Sequence, residues 1–285
     1  GSSFLNDRMT YDFLYEAAVL TTIRTQAFRS EQSITTVAGV RAYALNPDFI
    51  AIYLMDNSNK RFIKYTANSA VHFLYEKSYD SIILQNNTTA VTIPYGFTIK
   101  DKAAQAQITG TGTISAIANS DEYTFTDATQ TFTTTAAGGD LINMINGGSG
   151  IVLEVSSNTA LKAAFFDSAS TGAYLLNPQG RFELVLDPPP ANSGDTITVY
   201  YIQRPNPVYT LYRRYNFPVD YKAALVHYAA WKYKYVDQEA NFGDKFYIYW
   251  DATVRRLGGN INNVLNRRGF KVNMIKRAGN SGTFR

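Results

Sequence analysis

The sequence predicts an α+β protein. It is expected to combine a helical bundle (one N-terminal and two C-terminal helices), a β-sheet host region, an inserted small all-β module and an extended C-terminal tail. Three observations predict it. Apolar residues recur at three-to-four spacing at both ends of the chain. Extended runs rich in Val, Ile, Tyr and Phe fill residues 33–79 and 181–205. Between them charge thins out and Thr dominates, ten of the 28 residues from 108 to 135 being Thr. The expected organisation is a host domain at residues 1–84 and 177–259, an inserted Thr-rich β module at 85–176, and a basic tail at 260–285.

The first helix is expected over residues 7–30, where Phe13, Ala17, Leu20 and Ile23 (or Arg24) with Ala27 share one face and Asn6, Asp7 or Thr10 is the candidate cap. Strands then alternate with turns at Gly39, at Asn46-Pro47-Asp48 and at Asp56-Asn-Ser-Asn59. In the module, turns are expected at Gly110-Thr-Gly112, Asn119-Ser-Asp121, Gly138-Gly-Asp140 and Gly147-Gly-Ser-Gly150. Neither Gly110-Thr-Gly112 nor Gly147-Gly-Ser-Gly150 opens a helix, and the first lacks the Gly-Lys-Ser/Thr ending of a phosphate loop.

The chain changes character at Pro218. Before it come Phe182-Glu-Leu-Val-Leu186, the Asp187-Pro-Pro-Pro190 turn and the run 195–205. After it, a helix with proline in its first turn places Tyr221, Ala224, Leu225, Tyr228, Trp231 and Tyr235 on one face. A third helix repeats the pattern with Phe242, Phe246, Tyr249, Trp250 and Leu257 and is expected to end at Gly258-Gly259.

Composition narrows the chemistry. The 285 residues include no Cys and only His72 and His227, which argues against thiolate zinc sites, Cys nucleophiles and multi-His metal centres. No catalytic, cofactor-binding or metal-binding residues are assigned. His227, beside Tyr228 and Trp231, reads as a packing or surface residue, and Asp237, Glu239 and Asp244 read as solvated, helix-capping acids. Tyr and Phe number 21 and 17, and tyrosine suits interfaces because its ring packs while its hydroxyl stays hydrogen-bonded. The net charge of +4 is uneven: residues 255–285 hold eight Lys/Arg and no acid, and the rest of the chain holds 19 Lys/Arg against 23 Asp/Glu. No apolar run approaches the roughly 20 residues a membrane span needs.

Read in order, these motifs resemble the head-to-tail adaptor (neck connector) proteins of tailed bacteriophages. The likeness rests on Thr36-Val-Ala-Gly-Val-Arg-Ala-Tyr-Ala-Leu-Asn-Pro-Asp48, on Phe182 to Pro190, on Ile197 to Pro205, and on Phe217-Pro218 with Tyr228-Ala-Ala-Trp231. The middle region is similar to a β module of phage structural proteins through Phe125-Thr-Asp127, Phe132, Gly139-Asp140, Gly148-Ser-Gly150 and Val155-Ser-Ser-Asn-Thr159. The resemblance implies a non-enzymatic virion protein in the neck, assembled in the host cytoplasm as a homo-oligomeric ring, typically of twelve copies. Its partners would be the portal above, and tail nozzle, tube or fibre-docking proteins below or outside. Genomic DNA would pass through its channel without sequence-specific binding.

Two groups of residues follow from that reading. Tyr221, Leu225, Tyr228, Trp231, Tyr235, Phe242, Phe246 and Trp250 are expected to pack subunit against subunit. Arg267, Arg268, Phe270, Lys271, Met274, Ile275, Lys276 and Arg277 in the tail are expected to contact the portal. The competing readings are a tail-associated carbohydrate-binding or depolymerising protein, which needs exposed aromatic pairs or two close carboxylates, and a DNA-binding accessory protein using the basic tail.

Overall fold

Residues 7–53, 62–85, 88–102, 106–236 and 240–265 are described by the computed structural model, apart from the side chains at 62, 240–242 and 259–265. In chain order, helix α1 (Asp7–Thr25) leads into β1 (Arg29–Thr35), β2 (Ala42–Ala44), β3 (Phe49–Ile52), β4 (Phe62–Ala67) and β5 (Ala70–Glu76). Helix α2 (Tyr79–Gln85) and β6 (Gly96–Asp101) follow, then β7 (Ile108–Ala116), β8 (Tyr123–Thr126), the single turn α3 (Phe132–Thr135), β9 (Leu141–Met144), β10 (Ser149–Val155), β11 (Ala160–Phe165) and β12 (Gly172–Asn177). The described residues end with β13 (Phe182–Asp187), β14 (Thr196–Gln203), a 3-10 turn (Val219–Tyr221), α4 (Lys222–Val236) and α5 (Ala240–Leu265).

The protein is mostly β, and this corrects the expected architecture of a helical bundle carrying a small β module. Two sheets dominate. Strands β7 to β12 close into a six-stranded barrel in the order β10-β11-β8-β7-β12-β9, and the other eight form one sheet along β1-β14-β4-β5-β6-β13-β2, with β3 on the end of β14. That sheet nearly closes on itself. Gln32 of β1 donates to the Ala44 carbonyl at 3.2 Å and accepts from the Asn46 N–H at 2.8 Å, bridging the first and last strands of the path. Helical periodicity overstated the helices because it is continuous within each one, whereas the eight strands come from opposite ends of the chain and only their pairing shows one layer. Strand β6 belongs to this sheet, so the barrel's own strands begin at Ile108.

Each sheet encloses its own core. Alternate residues Ile197, Val199 and Tyr201 of β14 point inward to meet Phe49, Ile63, Tyr65, Leu74, Phe97 and Leu184, the two-residue period of a strand with one buried face. The barrel is filled by Phe125, Phe132, Ile142, Val152, Leu161, Tyr174 and Leu176, as expected when so few strands leave room only for side chains. Closure also removes exposed sheet edges there. The Gly110-Thr-Gly112 pair lies inside β7 rather than in the expected turn. A Cβ on Gly112 would run into the Phe125 ring, and one on Gly110 into the Asp127 carboxylate, so these glycines admit core groups.

Buried ion pairs tie the parts together. Arg181, at the entry to β13, lies 2.6 Å from Asp140 of the barrel and also donates to the carbonyls of Pro47, Gln179 and Thr135. Arg213 spans Glu122 and Glu154, at 2.9 and 3.0 Å. Burial pushes the Glu122 carboxyl up, but the Arg213 guanidinium and the Thr210 hydroxyl outweigh it and hold the group below the ordinary carboxylate value. Asp127 behaves likewise: burial raises it, and donation from the Thr129 hydroxyl and N–H and from Tyr174 lowers it further.

A carboxyl depressed in the folded state contributes stability above its unfolded pKa and loses it as pH falls through the folded value. The midpoint of thermal unfolding should therefore drop between about pH 5 and about pH 3, with Glu122→Gln and Asp127→Asn each flattening that drop. Equal slopes in wild type and both variants would contradict the assignment.

Candidate assembly surface

Helices α1, α4 and α5 pack on one another as a layer, and their sequences explain why. The α1 backbone turns at Gln26, where φ is +54°, so the helix ends before the expected residue 30 and Arg29 starts β1. Pro218 stands just before the 3-10 turn that leads into α4, where a missing N–H costs nothing. Helix α5 runs through Gly258 and Gly259 to Leu265 rather than ending there. At Gly258 the helix crosses α1 so closely that a Cβ would sit 3.3 Å from the Arg24 carbonyl oxygen.

The core of this layer joins Ala17 and Ala18 of α1 to Phe217, Tyr221, Leu225, Tyr228, Trp250, Val254 and Leu257. Polar atoms in it are matched. Trp250 donates to the Thr21 hydroxyl at 3.2 Å, and Tyr228 donates to Glu16 at 2.6 Å, where Lys232 also binds at 2.9 Å. Burial, then the Glu16 carboxylate, pushes the Tyr228 phenol well above its usual value. Trp231 stacks at an angle on Tyr228 and Tyr247, with ring centroids 5.2 and 4.9 Å away.

The expected subunit-packing residues therefore divide. Tyr221, Leu225, Tyr228 and Trp250 are buried against α1 of the same chain, so they are subunit core rather than subunit surface. Trp231 and Phe246 are partly covered, and Tyr235 faces solvent at 62% exposure. The Phe242 side chain lies outside the described residues, as do Asp237, Glu239 and all the tail residues expected to contact the portal: Arg267, Arg268, Phe270, Lys271, Met274, Ile275, Lys276 and Arg277.

The outward side of α4 and α5 carries residues that periodicity had not singled out. Val226, Val236 and Ile248 are exposed there, Ile248 at 62%. They fall off the buried face in the helical repeat, and a search for large apolar residues off that face would have found them. Between α1 and α4 runs an apolar groove of about 340 Å³, lined chiefly by Phe13, Leu14, Val226, Ala229, Tyr233 and Phe246. His227 packs against the Tyr249 ring at 5.6 Å, its Nδ1 buried with no partner. Among the described residues no three His, Asp or Glu side chains gather as metal ligands, and no helix is long and apolar enough to cross a membrane.

The sequence motifs also acquire structural roles. In the Thr36–Asp48 run, Tyr43 donates to the Val40 carbonyl and accepts from the Val37 N–H, closing the turn at Gly39. The same loop is held on the segment after β13 by bonds from the Gly39 N–H to Pro190 and from the Gly194 N–H to Thr36. Motifs distant in sequence become neighbours, since β1 pairs with β14 and β2 with β13. These residues build the frame.

No family model matches this sequence. No curated protein is significantly similar to it.

Proposed function

We propose that this chain is a structural assembly subunit of the head-to-tail adaptor kind, a non-enzymatic virion protein that rings the DNA channel between portal and tail. The observation that carries the reading is the uncovered helical face. Val226, Tyr235, Val236, Ile248 and Tyr249 are large, apolar and exposed on two neighbouring helices. Large apolar side chains left in solvent on both helices are the kind of surface that protein contacts cover. The chain's motifs in their order, and a basic segment leaving α5, supply the adaptor resemblance and the portal as partner. An acidic portal surface would attract the six Lys/Arg beyond residue 265.

The test is the mass and shape of the purified full chain, alone and mixed with portal, by light scattering and electron microscopy. A ring seated on the portal is expected. A small dimer indifferent to portal would overturn the reading.

A further inference from the structure

We infer that the cleft along the 204–216 connector binds a small phosphate monoester, its dianionic head held by Arg204 and Arg214. This goes beyond the adaptor reading and stands without it. The connector follows β14 and leads to α4, and with the end of β10 it borders a cavity of about 360 Å³. That volume lies in the lower part of the range for small-molecule sites, roughly 300–1,000 Å³. Phe28, Arg204, Asn206, Arg214, Tyr215 and Asn216 are among the residues that line it.

The charges on the wall select the ligand. Arg213 and Glu154 also line the cavity, but they are spent on each other, with Glu122 and Lys162 completing a balanced group of four. Asp48 lends its carbonyl to the Arg204 backbone N–H and turns its carboxylate to the Tyr201 hydroxyl and the Gln203 amide. Among the described residues no carboxylate comes within ion-pair distance of Arg204 or Arg214. Two guanidinium charges on one small cavity are therefore left open. They match a dianion, and a monocarboxylate would answer only one of them.

Arg204 is also held in place before any ligand arrives. It donates to the Gln179 carbonyl at 3.0 Å and to the Gly180 carbonyl at 3.3 Å. Gly180 has φ +55°, and a Cβ there would lie 3.2 Å from Nη2 of Arg204, so glycine suits both the turn and the contact. Two of the five guanidinium N–H donors are used in this way and three remain. Arginine's planar fork pairs two such donors with two phosphate oxygens. The side-chain amides of Asn206 and Asn216 are exposed on the same cavity and have no partner among the described residues, so they can serve a third oxygen. On the apolar side, Phe28 and Tyr215 both pack on Phe217, with ring centroids 4.7 and 6.2 Å away, which gives the ester group a fixed wall to lie on.

Calorimetric titration of the full chain at about 0.15 M salt, where exposed charges are screened beyond roughly 8 Å, tests this. Phenyl phosphate is the probe, and phenyl sulfate, of the same shape with one charge, is its comparison. Saturable one-to-one binding of phenyl phosphate is expected, at least about tenfold tighter than that of phenyl sulfate. Arg214→Gln and Arg204→Gln should each weaken it about tenfold or more, the worth of a charge-assisted hydrogen bond. Arg214 is exposed and unpaired among the described residues, so that variant should melt like wild type and separate binding from folding. Arg256→Gln, at an exposed position on α5, controls for general charge and should bind as wild type does.

No saturable binding, equal affinity for the two probes, or unchanged binding in Arg214→Gln would each overturn the inference. So would equal weakening in Arg256→Gln, which would mean long-range attraction alone. A single-stranded DNA oligonucleotide that displaces phenyl phosphate at equal phosphate concentration would overturn it too, because the surface would then be a track for a polymer backbone. None of these results touches assembly on the portal, which is read by mass and shape.

Discussion

Replacing Arg181 by Met should cost the fold about 3–5 kcal/mol, the range for breaking a buried ion pair by removing one partner. Asp140 is fully buried and Arg181 nearly so, and they meet at 2.6 Å. Without the guanidinium, Asp140 keeps N–H donors from Ala137 and Gln179 but loses its counter-charge. Three carbonyls, those of Pro47, Gln179 and Thr135, lose a donor in the same step. Denaturant unfolding measures the loss. The double variant with Asp140→Asn should recover part of it, because the uncompensated charge is then gone, and the recovery is the coupling read by a double-mutant cycle. A loss below about 1 kcal/mol, the worth of a surface pair, would mean that solvent reaches the site.

That pair shows what the sequence concealed. Arg181 reads as a polar residue at a strand entry, and Asp140 as a turn residue; nothing local links positions so far apart. Their meeting depends on how the segments before β13 and before β9 come together, which is tertiary information. Strand β14 was legible, since its alternation records burial on one face. The helices were legible too, yet their apolar faces say only that something covers them. Tyr228 and Trp250 are covered by α1 of the same chain, which the three-to-four spacing cannot distinguish from cover by another subunit. Glycine signals misled in two places for one reason. Gly110, Gly112 and Gly258 admit neighbouring groups in a strand and a helix, and a close approach leaves the same residue in the sequence as a turn or a cap.

Replacing Trp250 by Ala should destabilise the protein by about 3–5 kcal/mol, the usual cost of emptying a buried large aromatic site. Trp250 is 2% exposed, touches Tyr228 and Tyr247 edge-on or tilted, and donates to Thr21 across the layer. Its removal leaves a cavity where α1, α4 and α5 meet, and the Thr21 hydroxyl loses that donor inside it. Two residues earlier, Ile248 faces solvent, and Ile248→Glu should change stability by no more than about 0.5 kcal/mol. The two substitutions therefore separate fold from assembly. Trp250→Ala should lower the melting temperature first and lose assembly only through unfolding, so assembly should return on cooling well below the new midpoint. Ile248→Glu should melt like wild type and still weaken assembly at every temperature. If Trp250→Ala melts like wild type, then α5 does not depend on the α1 contact, and Trp250 returns to the subunit-packing role that the adaptor resemblance implied for it.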